Sequence, residues 1–283
     1  MLDLPIIIFH LGNQSYVRLC LQKALKYNNN IIIINENDNM YPDLNVKCVS
    51  YRKYYNNIEE FAKIYKHFSK NSHQLELICI IRWLCVYNYM KLNNIERAFI
   101  CDSDVLIYDN ITDINNSYLK DYDFMLCSSP SKNLTGGQSI WNVDKLQEFT
   151  EFIFKFYKTQ MTKMEAWYIS YKEPGGICDM TLLYYFSHNA TEFVGLRLPD
   201  YPYFKNDLTQ IFNNELTFDL HMGSLGNHIY PDDYEKNGNN KNIKYIDSKP
   251  HCYCNHLKKD VRFVLLHFQG GNKGIIEKFY NTP

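Results

Sequence analysis

Three apolar runs at an even pace constrain the fold of this 283-residue chain more than anything else in it. Ile6-Ile7-Ile8-Phe9, Ile31 to Ile34 and Val46-Lys47-Cys48-Val49 are short, lack a helical period and read as strands. Between the first two, Ser15 has the chemistry of an N-cap, and Val17, Leu21 and Leu25 share one face of a helix reaching Tyr27. Strand, helix, strand at this spacing is a βαβ signature and predicts a parallel sheet. A hydrophobic fraction of 46% is ample for a sizeable core, in one large domain or two small ones.

The next strand carries the most informative residues. Ala98-Phe99-Ile100-Cys101 ends in Asp102-Ser103-Asp104, and a second apolar run, Val105-Leu106-Ile107-Tyr108, follows at once. Ligands of α/β sheets sit beyond the carboxyl ends of strands. Two carboxylates one residue apart at such an end can reach one hard divalent cation, which takes oxygen ligands. That cation can hold a diphosphate and stabilise charge developing on it. Without the apolar frame, Asp-x-Asp reads as two solvated side chains in a turn. The loops His10-Leu11-Gly12-Asn13 and Ser50-Tyr51-Arg52 leave neighbouring strands and outline a nucleotide-sized crevice, or are plain connections.

Helices are predicted over Ile58 to Phe68 and, more strongly, over Gln74 to Leu92. Arg82 stands in the second, either ion-paired or aimed at a phosphate. Asp123 to Cys127 reads as a strand. Thr135-Gly136-Gly137 follows, where paired glycines permit a tight turn or close approach to a ligand. Asp144 to Tyr157 is an amphipathic helix. Gly175-Gly176 leads to Asp179, a natural cap for a helix over Met180 to Phe186. Residues 200–256 are rich in Asn, Asp, Tyr and Gly and read as loops. Within them, His251-Cys252-Tyr253-Cys254-Asn255-His256 lacks a usual zinc spacing. A strand from Val261 to Leu266 then delivers His267, followed by Gly270-Gly271 and Lys273, residue types that suit a metal and a phosphate together.

Composition narrows the class further. The formal net charge of −1 carries no basic excess, so neither nucleic acid nor an anionic membrane is an expected partner. Nine cysteines, several within apolar runs, suit reduced buried thiols and a cytoplasmic location better than a disulfide framework. No signal sequence is expected at Met1 to His10, and no stretch approaches the length of a transmembrane segment.

Four blocks in this order resemble glycosyltransferases of the GT-A fold, most closely family 8, the glycogenin and lipopolysaccharide galactosyltransferase group. They are Asp102-Ser103-Asp104, Thr135-Gly136-Gly137 through Asn142, Asp179-Met180-Thr181, and His267-Phe268-Gln269-Gly270-Gly271-Asn272-Lys273. The last is the most specific, because the family's His-Phe-x-Gly-x-x-Lys spacing is kept. The resemblance implies a GT-A (Rossmann-like) α/β fold with a mixed, mainly parallel central sheet flanked by helices. It implies one domain over residues 1–283, with a nucleotide-binding half to residue 110 and a sugar and acceptor half beyond it.

The implied activity is transfer of a sugar from a UDP-sugar, with Mn²⁺ or Mg²⁺, to a glycan, lipid-linked or protein acceptor, with retention of configuration. Asp102, Asp104 and His267 would bind the metal, and Asp102 would also sit near the donor ribose. His10, Gly12 and Asn13 would contact the nucleotide. Gly270 and Lys273 would hold the diphosphate, with Arg82 a further phosphate contact, and Gly137 and Asp179 would face the transferred sugar. Asp179 is the carboxylate expected near an oxocarbenium-like centre. The chain departs from the family at Thr135, where Asn is usual, at Met180, where Gln is usual, and at Gly274-Ile275, where Pro-Trp is usual. Those departures bear on the sugar and the stereochemical outcome. A haloacid-dehalogenase-type phosphohydrolase also uses Asp-x-Asp, but would need it on its first strand and a later acidic pair, for which Asp232-Asp233 is available. A non-catalytic carbohydrate-binding relic would be favoured only if a metal ligand were missing.

Overall fold

The computed structural model describes residues 3–55, 57–129, 134–171, 176–196, 204–223 and 233–282. The first half alternates strands and helices: β1 Ile6–Phe9, α1 Ser15–Leu25, β2 Ile31–Asn35, β3 Lys47–Ser50, α2 Ile58–Ile64, α3 His73–Leu92 and β4 Arg97–Cys101. Then come β5 Val105–Ile107, α4 Ile111–Ile114, β6 Phe124–Ser128, β7 Leu134–Asn142, α5 Val143–Tyr171 and α6 Asp179–Ser187. Short strands follow: β8 Leu216–Thr217, β9 Lys236–Asn237, β10 Asn240–Lys241, β11 Lys244–Ile246, β12 Lys249–Cys254, β13 Lys259–Phe263 and β14 Leu265–His267. The described chain closes with α7 Ile276–Tyr280.

The main sheet runs β3-β2-β1-β4-β7-β6. The pairings β1–β2, β1–β4 and β2–β3 are parallel, while β7 runs antiparallel to both β4 and β6. The expected α/β fold with a mixed, mainly parallel sheet flanked by helices is what the chain adopts. Every residue of β1 is buried, because helices and loops cover both faces. Ile7 and Phe9 join the core beneath α2, α3, α5 and α6, whereas Ile6 and Ile8 join the core on the α1 side. Fully burying an Ile side chain is worth roughly 1.5–3 kcal/mol, so this strand anchors both layers.

The connections from β1 and from β3 leave in opposite directions, β1 through α1 to β2 and β3 through α2 and α3 to β4. A crevice therefore opens between the carboxyl ends of β1 and β4, the place where the strand order reverses. His10 stands at one lip and Asp102 at the other. A separate ribbon pairs β14 with β5, setting His267 opposite Val105. Two further small sheets, β11-β12-β13-β8 and β10-β9, lie beyond the main one.

Several elements differ from expectation. The Gly136-Gly137 pair is no turn but lies within β7, just before the residues that pair with β4 and at a register shift against β6. Its apolar neighbours Ile140 and Trp141 are 0% exposed, which requires an extended central strand. Helix α5 runs to Tyr171 rather than Tyr157, because Met164, Trp167 and Tyr168 continue its inward stripe. Helix α2 stops at Ile64, where Tyr65 turns to extended geometry. Ser15 is the first helical residue, not the cap. Gln14 occupies the cap position and spends its side chain on His10. Residues 204–223 and 233–256 are only partly loops, since β8 and β9 to β12 lie there. Their short, polar strands alternate intermediate and buried positions, as Lys249–Cys254 shows.

Candidate active site

At the end of β4 the Asp102 N–H donates to the Gly137 carbonyl at 2.7 Å, which ties the acidic turn to β7. Asp104 is buried, at 4% exposure, and the Phe268 N–H donates to its carbonyl at 3.0 Å. The β5–β14 ladder thus carries His267 onto the acids. His267 Nε2 lies 3.3 Å from Asp104 Oδ1 and 3.8 Å from Asp102 Oδ2. One ligand atom from each residue falls within 4.8 Å of the others, and this is the only such group among the described residues.

The imidazole is oriented for that role. Its Nδ1–H donates to the Leu220 carbonyl at 2.7 Å, which turns the Nε2 lone pair toward the carboxylates. His267 Nε2 and Asp104 Oδ1 are both buried without a hydrogen-bond partner. Three acceptors facing one point need a proton or a cation between them, so the residues present fit a divalent metal. In the metal-free protein the proton takes that place. Burial alone would lower the His267 pKa, but Asp104, with help from Asp102, holds it up at about 9. Burial likewise raises Asp104, yet His267 and then Lys273 bring it well below the usual carboxylate range.

Two cations flank the acids. Lys273, in the short turn Gly270–Ile275, places Nζ 3.3 Å from Asp104 Oδ2 and over the Tyr16 ring. Arg82 donates from Nη1 to Asp102 Oδ1 at 2.5 Å and from Nη2 to Asp179 Oδ2 at 2.7 Å. Burial opposes the Arg82 charge, but the two carboxylates hold its pKa above the ordinary guanidinium value. Asp179 is 5% exposed, opens α6, and also accepts Trp83 Nε1 at 3.3 Å. A carboxylate in the first turn is further favoured by the helix dipole.

A cleft of about 290 Å³ adjoins this group, lined by residues that include His10, Gln14, Tyr16, Cys79, Arg82, Asp102, Asp104 and Lys273. Burial lowers the His10 pKa, leaving a neutral ring. Its Nε2–H donates to Gln14 Oε1 at 2.6 Å, so Nδ1 accepts the Ser103 hydroxyl at 2.8 Å. A larger hollow of about 470 Å³, lined by Asn57, Glu60, Glu151, Phe154, Lys155, Lys158 and Thr159, shares no residue with the cleft.

The structure thus gathers His10, Arg82, Asp102, Asp104, Gly137, Asp179, His267 and Lys273. A Cβ on Gly137 would stand 3.0 Å from Asp102 Oδ2 and 3.1 Å from His267 Cε1. Gly12, Asn13 and Gly270 do not line the cleft. Gly12 adopts φ +114 and gives its N–H to Glu36 Oε1, Asn13 is exposed, and a Cβ on Gly270 would point into open space. Sequence reasoning missed Trp83, Ser103 and Asp219, whose contacts with the site run through partners distant in the chain. Asp233 faces Cys254 Sγ and the His256 N–H in the small-sheet region, and Asp232 lies outside the described residues. Cys252 and Cys254 point inward from β12, away from the flanking histidines. All nine cysteines are free thiols. No helix among the described residues is long and apolar enough to cross a membrane.

No protein-family model matches the chain, and no curated protein does. Among solved structures, it resembles apo mouse xyloside xylosyltransferase 1 at 12% identity, covering 68% of this chain and 85% of that one, with a TM-score of 0.47. It resembles the apo WbbM bifunctional glycosyltransferase at 10% identity, over 99% of this chain and 50% of that one, with a TM-score of 0.49. The galactosyltransferase LgtC with donor and acceptor sugar analogs aligns at 13% identity over 64% of this chain and 69% of its own, with a TM-score of 0.35.

Proposed function

We propose that this chain is a metal-dependent glycosyltransferase of the GT-A type, moving a sugar from a UDP-sugar to a glycan, lipid-linked or protein acceptor with retention. The observation that carries this reading is the meeting of Asp102, Asp104 and His267 at the mouth of the cleft between β1 and β4. In this reading residues 1–283 form one domain, with the nucleotide bound by the half ending at residue 110.

A divalent cation, Mn²⁺ or Mg²⁺, would be held by Asp102, Asp104 and His267, and would neutralise the leaving diphosphate as a Lewis acid. Lys273 adds positive charge on the same side, where its ammonium already meets Asp104. His10, with Gly12 and Asn13 nearby in the chain, contacts the nucleotide. Gly270, at φ +62, holds the diphosphate together with Lys273 in this reading. Gly137 leaves room for the donor against Asp102. Asp179 stabilises positive charge developing at the anomeric carbon, and Arg82 orients both Asp179 and Asp102.

The test is calorimetric titration of UDP with and without Mn²⁺, repeated with Asp104→Asn. Binding that needs both the metal and Asp104 supports the reading. UDP binding indifferent to metal, or none at all, would overturn it. Turnover of a UDP-sugar panel, scored by release of UDP, then identifies the donor.

A further inference from the structure

Asp219 lies outside every motif, yet it is 0% exposed and engaged on both oxygens. Oδ2 accepts the backbone N–H of His267 at 3.0 Å. Oδ1 accepts Lys241 Nζ at 2.8 Å and the His221 N–H at 3.2 Å. Lys241 is itself 4% exposed and donates also to the His221 carbonyl at 2.7 Å. The same short segment grips His267 twice more. Leu220 offers its carbonyl to the imidazole Nδ1–H, and the Met222 N–H donates to the His267 carbonyl at 2.9 Å. His221 extends the grip, since its Nε2 reaches the Gln269 carbonyl at 3.2 Å, at the start of the turn that carries Lys273.

Stability is a poor reason for such a pair. A buried ion pair loses much of its attraction to desolvation, and apolar replacements of similar volume are often neutral or better. What apolar residues could not do is hold a backbone N–H and a lysine on opposite edges of one carboxylate. We infer that the Asp219–Lys241 pair is a positioning device for His267, which holds its backbone and the segment whose Leu220 carbonyl fixes the imidazole tautomer, and thereby sets the affinity for a divalent cation. The inference rests on the metal reading above. Groups that orient a ligating histidine typically govern about 10–100-fold of metal affinity.

Asp219→Asn is a sharp probe, because both carboxylate oxygens face donors and an amide must turn its NH₂ against one of them. Asp219→Ala combined with Lys241→Met removes both charges together and guards against a variant that cannot fold. The measurement is Mn²⁺ affinity by electron paramagnetic resonance, with the ¹⁴N coupling of the bound imidazole, alongside melting of the metal-free proteins. We expect a loss of about tenfold or more in affinity and a weakened nitrogen coupling in variants that still melt cooperatively. A folded variant with wild-type affinity and coupling would overturn the inference while leaving the metal reading intact. Absence of Mn²⁺ binding in the wild-type protein would instead overturn both, and the wild-type arm tells the two failures apart.

Discussion

The two ends of the Asp102–Asp104–His267 group come from regions built on different principles. Asp102 and Asp104 stand on the β1–β4 part of the main sheet, where apolar runs lie buried on both faces and pair in parallel. His267 stands on β14, which pairs antiparallel with β5 and follows β13 of a separate small sheet of short, mostly antiparallel strands. The first region is placed by its apolar core. The second adds to a buried strand side-chain contacts such as Asp219 on the His267 N–H. One half of the site is therefore positioned by burial alone, and the other by the burial of β14 together with side-chain hydrogen bonds from a loop.

Stability should divide the same way. Phe99→Ala, in the centre of β4 at 0% exposure, is expected to cost about 3–5 kcal/mol in denaturant unfolding. Ile246→Ala, 42% exposed on β11, should stay within about 0.5 kcal/mol. Equal costs would break the contrast.

Function should not divide that way, since both regions supply proposed ligands. His267→Ala is expected to weaken Mn²⁺-dependent UDP binding by roughly 100-fold or more, as much as Asp104→Asn, in calorimetry. A mild effect would mean that the C-terminal region is not part of the site.

The adjacent glycines of β7 separate the two roles within one strand, because successive residues point to opposite faces. A Cβ on Gly136 would lie 2.2 Å from the Trp83 ring, so Gly136→Ala should lower stability by about 1–3 kcal/mol through overpacking. Gly137→Ala should leave the melting temperature nearly unchanged and weaken Mn²⁺ binding, because its methyl presses on Asp102 and His267. The reverse pattern would place the site on the wrong face.

The pH dependence tests the same group without a substitution. Below about pH 9 the metal-free protein carries a proton on His267 that a cation must displace, so Mn²⁺ affinity should rise by up to about tenfold per unit from pH 6 to 8. Calorimetry in buffers of different ionisation enthalpy should show proton release on binding. Without metal the sign is opposite. The raised His267 pKa contributes stability that is present below about pH 6.5 and lost as pH rises through about 9. The lowered Asp104 pKa contributes stability present above about pH 4 and lost on further acidification. An affinity independent of pH would remove His267 from the ligand set.

Legibility followed the same divide. The strands β1, β2 and β4 could be read within a residue or two, because a run such as Ile6 to Phe9 states its burial locally. Asp102 and Asp104 could be read because that frame puts them at a strand end. β7 was missed, since Gly136-Gly137 resembles a turn until Trp83 and β4 are seen against it. After residue 204 the run Val261 to Leu266 was read, as one strand where the structure has β13 and β14, whereas β12 and the two- and three-residue strands β8 to β11, too short to leave a periodicity, were missed.

By itself, the sequence determined the parallel layers and the carboxylates at their edge, because hydrophobic burial in a strand is written in consecutive residues. Tertiary structure alone decided that Arg82 bridges Asp102 and Asp179, that His267 Nε2 faces the acids, and that Asp219 and Lys241 hold it there. Those contacts join residues tens to more than a hundred positions apart, and a hydrogen bond depends on ångström-scale geometry that no local pattern encodes.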